Sequence, residues 1–127
     1  MKKILILPGD GIGPEVTDQC IKIIDFLNTK SNLAIKYEEA LFGGASIDDN
    51  GQPLSNEVLE KALASDAVLL GAVGGPKWES LDHNLKPEKG LLTLRKELET
   101  FANLRPGKVF ESLSNASSLK PEVLKNT

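Results

Sequence analysis

The chain has 127 residues, 40% of them hydrophobic and 26% charged, with a net charge of −3. That length holds one small domain around one hydrophobic core, and the composition is that of a soluble globular protein. The negative balance argues against bulk attraction to nucleic acid or to an anionic membrane, and no apolar run approaches the roughly 18 residues of a spanning helix.

Met1-Lys2-Lys3 resembles the start of an export signal, but the apolar run behind it ends at Pro8, too soon for such a segment. The single cysteine, Cys20, leaves no internal disulfide, so a reducing cytoplasm is the expected setting. Lys3 to Leu7 reads as a short strand with the stretch LPGDGIGPEV running through and beyond its end. Gly9, Gly11 and Gly13 fall within five residues, which implies a backbone that bends tightly or comes close to something else. Pro14 suits a first helical turn, and a helix is expected from Glu15 to about Lys30, with Val16, Cys20, Ile23, Ile24 and Leu27 as its apolar stripe. Leu33 to Ala40 alternates as a second strand, and FGGASIDDNGQPLS reads as a loop with a short turn. Ser55 is placed to cap a helix over Asn56 to Ala64. The continuous apolar run from Ala67 to Val73 predicts a buried strand, and GGPKWESLDHNLKPEKG a long loop after it. A third helix is expected from Leu91 to Phe101, then the extended NLRPGKVFESL, then the start of another helix in LKPEVLKN. Strand and helix alternate, so the expected class is α/β with a largely parallel sheet. The order of elements reads as the front part of a larger protein, with a natural terminus that frays as the plainer alternative.

Several stretches carry candidate chemistry. A strand, a glycine turn and a helix start can receive phosphate or carboxylate groups. The dinucleotide fingerprint G-x-G-x-x-G fails here, because Pro14 stands where the third glycine belongs, and a standard Rossmann turn is not supported. A tight connection with no ligand remains the other reading of the same residues. A second glycine group, Gly71, Gly74 and Gly75, follows the third strand, and both groups are expected on the same sheet edge, where ligands collect in parallel sheets. Trp78, the only tryptophan, reads as a lid over the core or as a ligand contact.

Fifteen residues are Lys or Arg, yet only Arg95 and Arg105 are arginines. The planar guanidinium grips a carboxylate through two bonds in a way lysine cannot copy, so the pair suggests recognition of an acid; two surface cations are the plainer alternative. On the helix around Arg95, Leu91, Leu94, Leu98 and Phe101 make the expected core stripe, while Leu92 and Arg95 lie off it and Glu88 comes one turn before Leu92. An apolar patch beside a carboxylate-binding arginine suits a small acid with a hydrocarbon branch. The remaining candidates are weak: His83 reads as solvated, Cys20 as core, Asp48-Asp49 as turn chemistry, and no acid cluster has metal-ligand spacing.

LPGDGIGPEV, FGGASID, GAVGGPKW, KPEKGLLTLRKEL and FANLRP occur in this order. Together they resemble the amino-terminal third of the 3-isopropylmalate dehydrogenases, within the β-decarboxylating dehydrogenases, across essentially the whole chain. GDGIGPE is shared with the isocitrate, homoisocitrate and tartrate enzymes and marks only the superfamily. GGPKW, GLLTLRKEL and FANLRP are more specific, since isocitrate enzymes tend to carry a polar residue where Leu91-Leu92 stand.

The resemblance implies the family's two-domain α/β fold, with residues 1–100 in the first domain and 101–127 opening the second. It implies NAD-dependent oxidation of a malate-like acid followed by loss of CO₂, assisted by Mg²⁺ or Mn²⁺, on the route to leucine, in a cytoplasmic homodimer with no nucleic-acid or membrane partner. By resemblance, Arg95 and Arg105 grip the carboxylates of 3-isopropylmalate. Leu91 and Leu92 seat its isopropyl branch. Glu88 stands between the branch and the nicotinamide. Ile12, Gly74, Gly75, Pro76, Lys77 and Trp78, with Glu88, belong to the NAD site. The metal ligands and the proton-handling tyrosine and lysine are expected beyond Thr127, which leaves this segment with no catalytic group and no metal ligand and, by itself, inactive. Another β-decarboxylating specificity, or a non-catalytic module binding small acids or nucleotides, is the alternative.

Overall fold

The computed structural model describes residues 1–31, 33–106, 118–120 and 123. Its sheet has three parallel strands: β1 (Lys2–Gly9), β2 (Ile35–Glu39) and β3 (Ala67–Ala72), in the order β2-β1-β3. β1 pairs on both sides, with Ile4 opposite Tyr37 and Ala67, and Ile6 opposite Glu39 and Leu69. Its central place explains its sequence: a strand covered on both faces needs apolar residues without alternation, and Leu5, Ile6 and Leu7 are wholly buried.

Helix α1 (Gly13–Ser31) crosses from β1 to β2 and packs on β1 and β3. At its far end the Asn28 side chain accepts from the Ile35 N–H at 3.1 Å and donates to the Ile35 carbonyl at 2.9 Å, fixing where β2 begins. Helices α2 (Gly44–Asn50) and α3 (Asn56–Leu63) connect β2 to β3, and α4 (Pro87–Glu97) follows two single 3-10 turns, Pro76–Trp78 and His83–Leu85. Leu5 and Leu7 point to one face and form the core with Phe42, Val58, Ala62 and Leu94. The opposite face of the sheet belongs to α1. Ser55 caps α3 as its sequence predicts, its Oγ accepting from the Val58 N–H at 3.3 Å.

Four expectations need correction. The stretch read as a loop contains α2: its first N–H groups are capped by Asp10, 34 residues away, and its end by Gly51 in the left-handed conformation, donating to the Ile47 carbonyl. Asp48 and Asp49 are therefore helical, and turn chemistry is confined to Asn50-Gly51. The third helix spans Pro87–Glu97 rather than Leu91–Phe101, with Pro87 in its first turn and Glu99, at φ 51°, beyond its end; Phe101 is fully exposed and is no part of the core stripe. On α1 the buried residues are Gly13, Thr17 and Ile24, while Val16 and Ile23 are exposed and Cys20 and Leu27 half-buried. β3, expected to be buried, is half-buried along Val68–Ala72. The last two have one cause: among the described residues β3 lies at the edge of the sheet, and the apolar stripe of α1 is wider than the strands beneath it. The extended segment expected from Asn103 is described to residue 106, without regular structure; the remainder, and nearly all of the helix expected after it, lie outside the described residues.

Candidate active site

The carboxyl ends of β1 and β3 meet at one side chain. Asp10, only 3% exposed, accepts three backbone N–H groups at 2.8 Å: Gly44 and Gly74 on Oδ2, Ala45 on Oδ1. It thereby joins the turn after β1, the start of α2 and the end of β3. Both glycine groups do share one edge, as their positions after strands imply, and Asp10 is the tie between them.

The glycines of the opening turn serve this closeness. A Cβ on Gly13 would overlap the Pro8 carbonyl and stand 2.9 Å from the Ala72 backbone nitrogen, so α1 can start against β3 only with glycine there. The close neighbour is the protein's own backbone, and the plainer reading of this turn accounts for Gly13. Ile12, at the tip, is exposed. Gly74 (φ +95°) faces α4, and a Cβ on it would overlap Glu88 Oε1. The glycine after β3 thus lets a carboxylate of α4 approach the sheet edge.

On α4 the burial pattern separates two sets of residues. Leu94 is buried, Gly90 is packed against Pro53, and Leu91 and Leu98 lie partly buried against the core. Glu88, Leu92 and Arg95 are exposed, at positions i, i+4 and i+7, so a carboxylate, a leucine at 56% exposure and a guanidinium share one outward row. Past the helix the chain turns back: the Thr100 N–H and hydroxyl both donate to the Arg95 carbonyl at 3.1 Å. Arg95 then lines a shallow groove of about 410 Å³ with Lys96, Thr100 and residues 101–104. Arg105 is exposed and outside that lining, so the two arginines are not gathered into one groove among the described residues.

In the loop after β3, Lys77 Nζ donates to Asp48 Oδ2 at 2.6 Å and Trp78 Nε1 to Asp48 Oδ1 at 3.1 Å. The Lys77 bond first, and the Trp78 bond second, hold the Asp48 carboxyl below its ordinary value. Sequence reading missed both Asp10 and Asp48. Their partners are 29 to 64 residues away, and an aspartate among glycines, or before Asn-Gly, has the local look of a turn residue.

These residues fit part of a dinucleotide. Lys77, the cation of the loop, is already engaged by Asp48, and the Gly74 N–H by Asp10, so the loop presents neither to a pyrophosphate. Glu88 and Ile12 are both exposed and leave a carboxylate and an apolar side chain open to a ligand. Among the described residues no group of three or more His, Cys, Asp or Glu side chains could hold a metal ion. No helix among them is long and apolar enough to cross a membrane.

Three parallel strands, a glycine turn unlike the Rossmann fingerprint, and the exposed row Glu88, Leu92 and Arg95 on α4 make up an α/β unit among the described residues. The family model for isocitrate/isopropylmalate dehydrogenase matches residues 3–127, and the chain belongs to that family. It is 58% identical to the 3-isopropylmalate dehydrogenase of Hydrogenovibrio crunogenus over 123 residues, which are 97% of this chain and 34% of that protein. It is 55% identical to the enzyme of the same name from Methylococcus capsulatus over 122 residues, 96% of this chain and again 34% of the relative. The chain thus spans about a third of the length of these curated relatives. A solved beta-decarboxylating dehydrogenase from Thermococcus kodakarensis, in its apo form, superposes with a TM-score of 0.58 at 34% identity, covering 78% of this chain and 27% of that one.

Proposed function

We propose that the chain is the amino-terminal part of an NAD-dependent 3-isopropylmalate dehydrogenase, which oxidises and decarboxylates 3-isopropylmalate towards 4-methyl-2-oxopentanoate in leucine biosynthesis. Residues 1–100 belong to its first domain and 101–127 open its second, and the intact enzyme is a cytoplasmic homodimer. The observation that carries this reading is the exposed row on α4: Glu88, Leu92 and Arg95, one turn apart, with Glu88 beside Gly74. The identity to enzymes of that name, along nearly the whole chain, supports it.

Arg95 binds a carboxylate of the substrate through its planar fork, and Arg105 binds the second. Leu92, with Leu91 behind it, seats the isopropyl branch: an exposed leucine gains contact only when something apolar covers it. Glu88 lies between that branch and the ring end of the cofactor, and Ile12 with the loop Gly74, Gly75, Pro76, Lys77 and Trp78 borders the cofactor's place. NAD⁺, when bound, supplies the hydride acceptor. Mg²⁺ or Mn²⁺ ligands come from residues other than those described.

The test uses the protein expressed from its complete reading frame. Arg95→Lys and Arg105→Lys should each lower kcat/KM for 3-isopropylmalate about 10- to 100-fold, roughly 1.5–3 kcal/mol for a lost bidentate ionic bond. Leu92→Ala should erode the preference for 3-isopropylmalate over malate by about 1–3 kcal/mol. Wild-type kcat/KM in both arginine variants, or an unchanged preference ratio, would refute these roles.

A further inference from the structure

Two carboxylates hold the loop after β3, one at each end. At its root the Gly74 N–H donates to Asp10, and at its tip Lys77 and Trp78 donate to the two oxygens of Asp48. Both carboxylates meet on α2, Asp10 at the N–H groups of Gly44 and Ala45, Asp48 one turn further along. The bonds close a circuit from Asp10 through Gly74, the turn Pro76–Trp78, Asp48 and α2 back to Asp10. The Trp78 ring lies inside it, so close to Gly44 that a Cβ there would overlap the ring, with Lys77 Nζ 5.4 Å from the ring centroid. The ion pair is exposed, with 65% of the Lys77 and 43% of the Asp48 side chain open to solvent, so its contribution to global stability is small. Its consequence is local: it selects one orientation of the loop tip.

We infer that Asp48 is a positioning residue for the loop 74–78, fixing its tip against α2 through Lys77 and Trp78 while Asp10 holds its root at Gly74. That the loop borders the cofactor rests on the proposed dehydrogenase function; that Asp48 holds it does not. Asp48→Ala removes both acceptors. Asp48→Asn keeps an oxygen for Trp78 Nε1 and removes the charge that holds Lys77.

Trp78 is the only tryptophan of the 127 residues, so its emission in this chain reports the latch directly. Asp48→Ala should shift that emission to the red and raise its quenching by acrylamide, with an unchanged circular-dichroism spectrum, and Asp48→Asn should lie between it and the wild type. In the protein from the complete reading frame, Asp48→Ala should raise KM for NAD⁺ about three- to tenfold and leave KM for 3-isopropylmalate within about twofold, as expected when one charge-assisted contact to a loop is lost. If Asp48→Ala does not fold, the same split is read from Asp48→Asn at about half that size on a logarithmic scale. Unchanged emission would overturn the latch. Shifted emission with an unchanged KM for NAD⁺, or an equal loss in both KM values and kcat, would overturn the positioning role. A wild-type protein that reduces no NAD⁺, with the emission shift intact, would overturn the dehydrogenase reading and the positioning role with it, leaving Asp48 a structural clasp.

Discussion

At the carboxyl ends of β1 and β3, each turn is tied to another: Asp10 collects three N–H groups from two other segments, Gly13 sits against the backbones of Pro8 and Ala72, and Asp48 reaches across to Lys77 and Trp78. In α4 and the segment after it, the row is open to solvent: Glu88, beside Gly74, Leu92 and Arg95 are exposed, and residues 101–106 are exposed throughout. The rim is prearranged by bonds within the chain. The α4 row is a helix face that stands ready and gains contacts only from something outside it. Changes at Asp10 and Gly13 should therefore appear as lost stability, changes at the exposed Asp48 as a local change in its loop, and changes on the row as altered recognition.

At the rim the largest effect should come from Asp10→Ala. It strands three N–H groups at a buried site, each costing about 1 kcal/mol or more, so the loss should reach about 3 kcal/mol in chemical denaturation. That is a large part of the roughly 5–15 kcal/mol of a typical domain. A loss below about 1 kcal/mol would place the stability of the rim elsewhere.

Gly13 and Gly11 divide the turn further. Gly13→Ala puts a methyl into the Pro8 and Ala72 backbones, which cannot swing aside, and should cost about 1–3 kcal/mol. Gly11→Ala meets nothing within 4 Å, and its cost is only that of a left-handed φ of +58°, about 1–2 kcal/mol. Gly13 has no left-handed φ to relieve, so a loss below about 1 kcal/mol in Gly13→Ala in thermal unfolding would mean that close approach does not set the demand for glycine there.

On α4, Leu92→Ala should change stability by no more than about 0.5 kcal/mol, because its side chain is mostly in water. Leu94→Ala, two positions on and 3% exposed, should cost about 2–5 kcal/mol, a core-sized loss that serves as the internal reference. A large stability loss in Leu92→Ala would mean the row is packed rather than presented.

The smallest effect is one of pH. Asp48 is held below its ordinary value of 3.8 by Lys77 and then Trp78, and Asp66 by the Lys2 side chain and then the Lys3 N–H. A carboxylate lowered in the folded state contributes stability that is present above its unfolded value and lost as pH falls through its folded one. Stability should thus be flat with respect to these two groups above pH 3.8 and decline below it. Asp48→Asn should make the acid limb of the unfolding curve shallower, and an unchanged limb would remove Asp48 from the linkage.

By itself the sequence determined the alternation of strands and helices, the three strands to within a few residues, the cap at Ser55, and the acid–leucine–arginine row, because each rests on neighbours in the chain: apolar runs, a side chain three residues from its N–H, helical spacing. The motifs in their order also marked the family. Tertiary structure alone decided the rest. Helix α2 exists where the chain looks like a loop because a carboxylate 34 residues upstream caps it. The breadth of the buried stripe on α1 was decided by how many strands lie beneath it, and Phe101 left the core because Glu99, at φ 51°, turned the chain away beyond the end of α4. Asp10 and Asp48 look like turn residues until folding supplies their partners, since a hydrogen bond between distant segments leaves no period and no spacing in either of them.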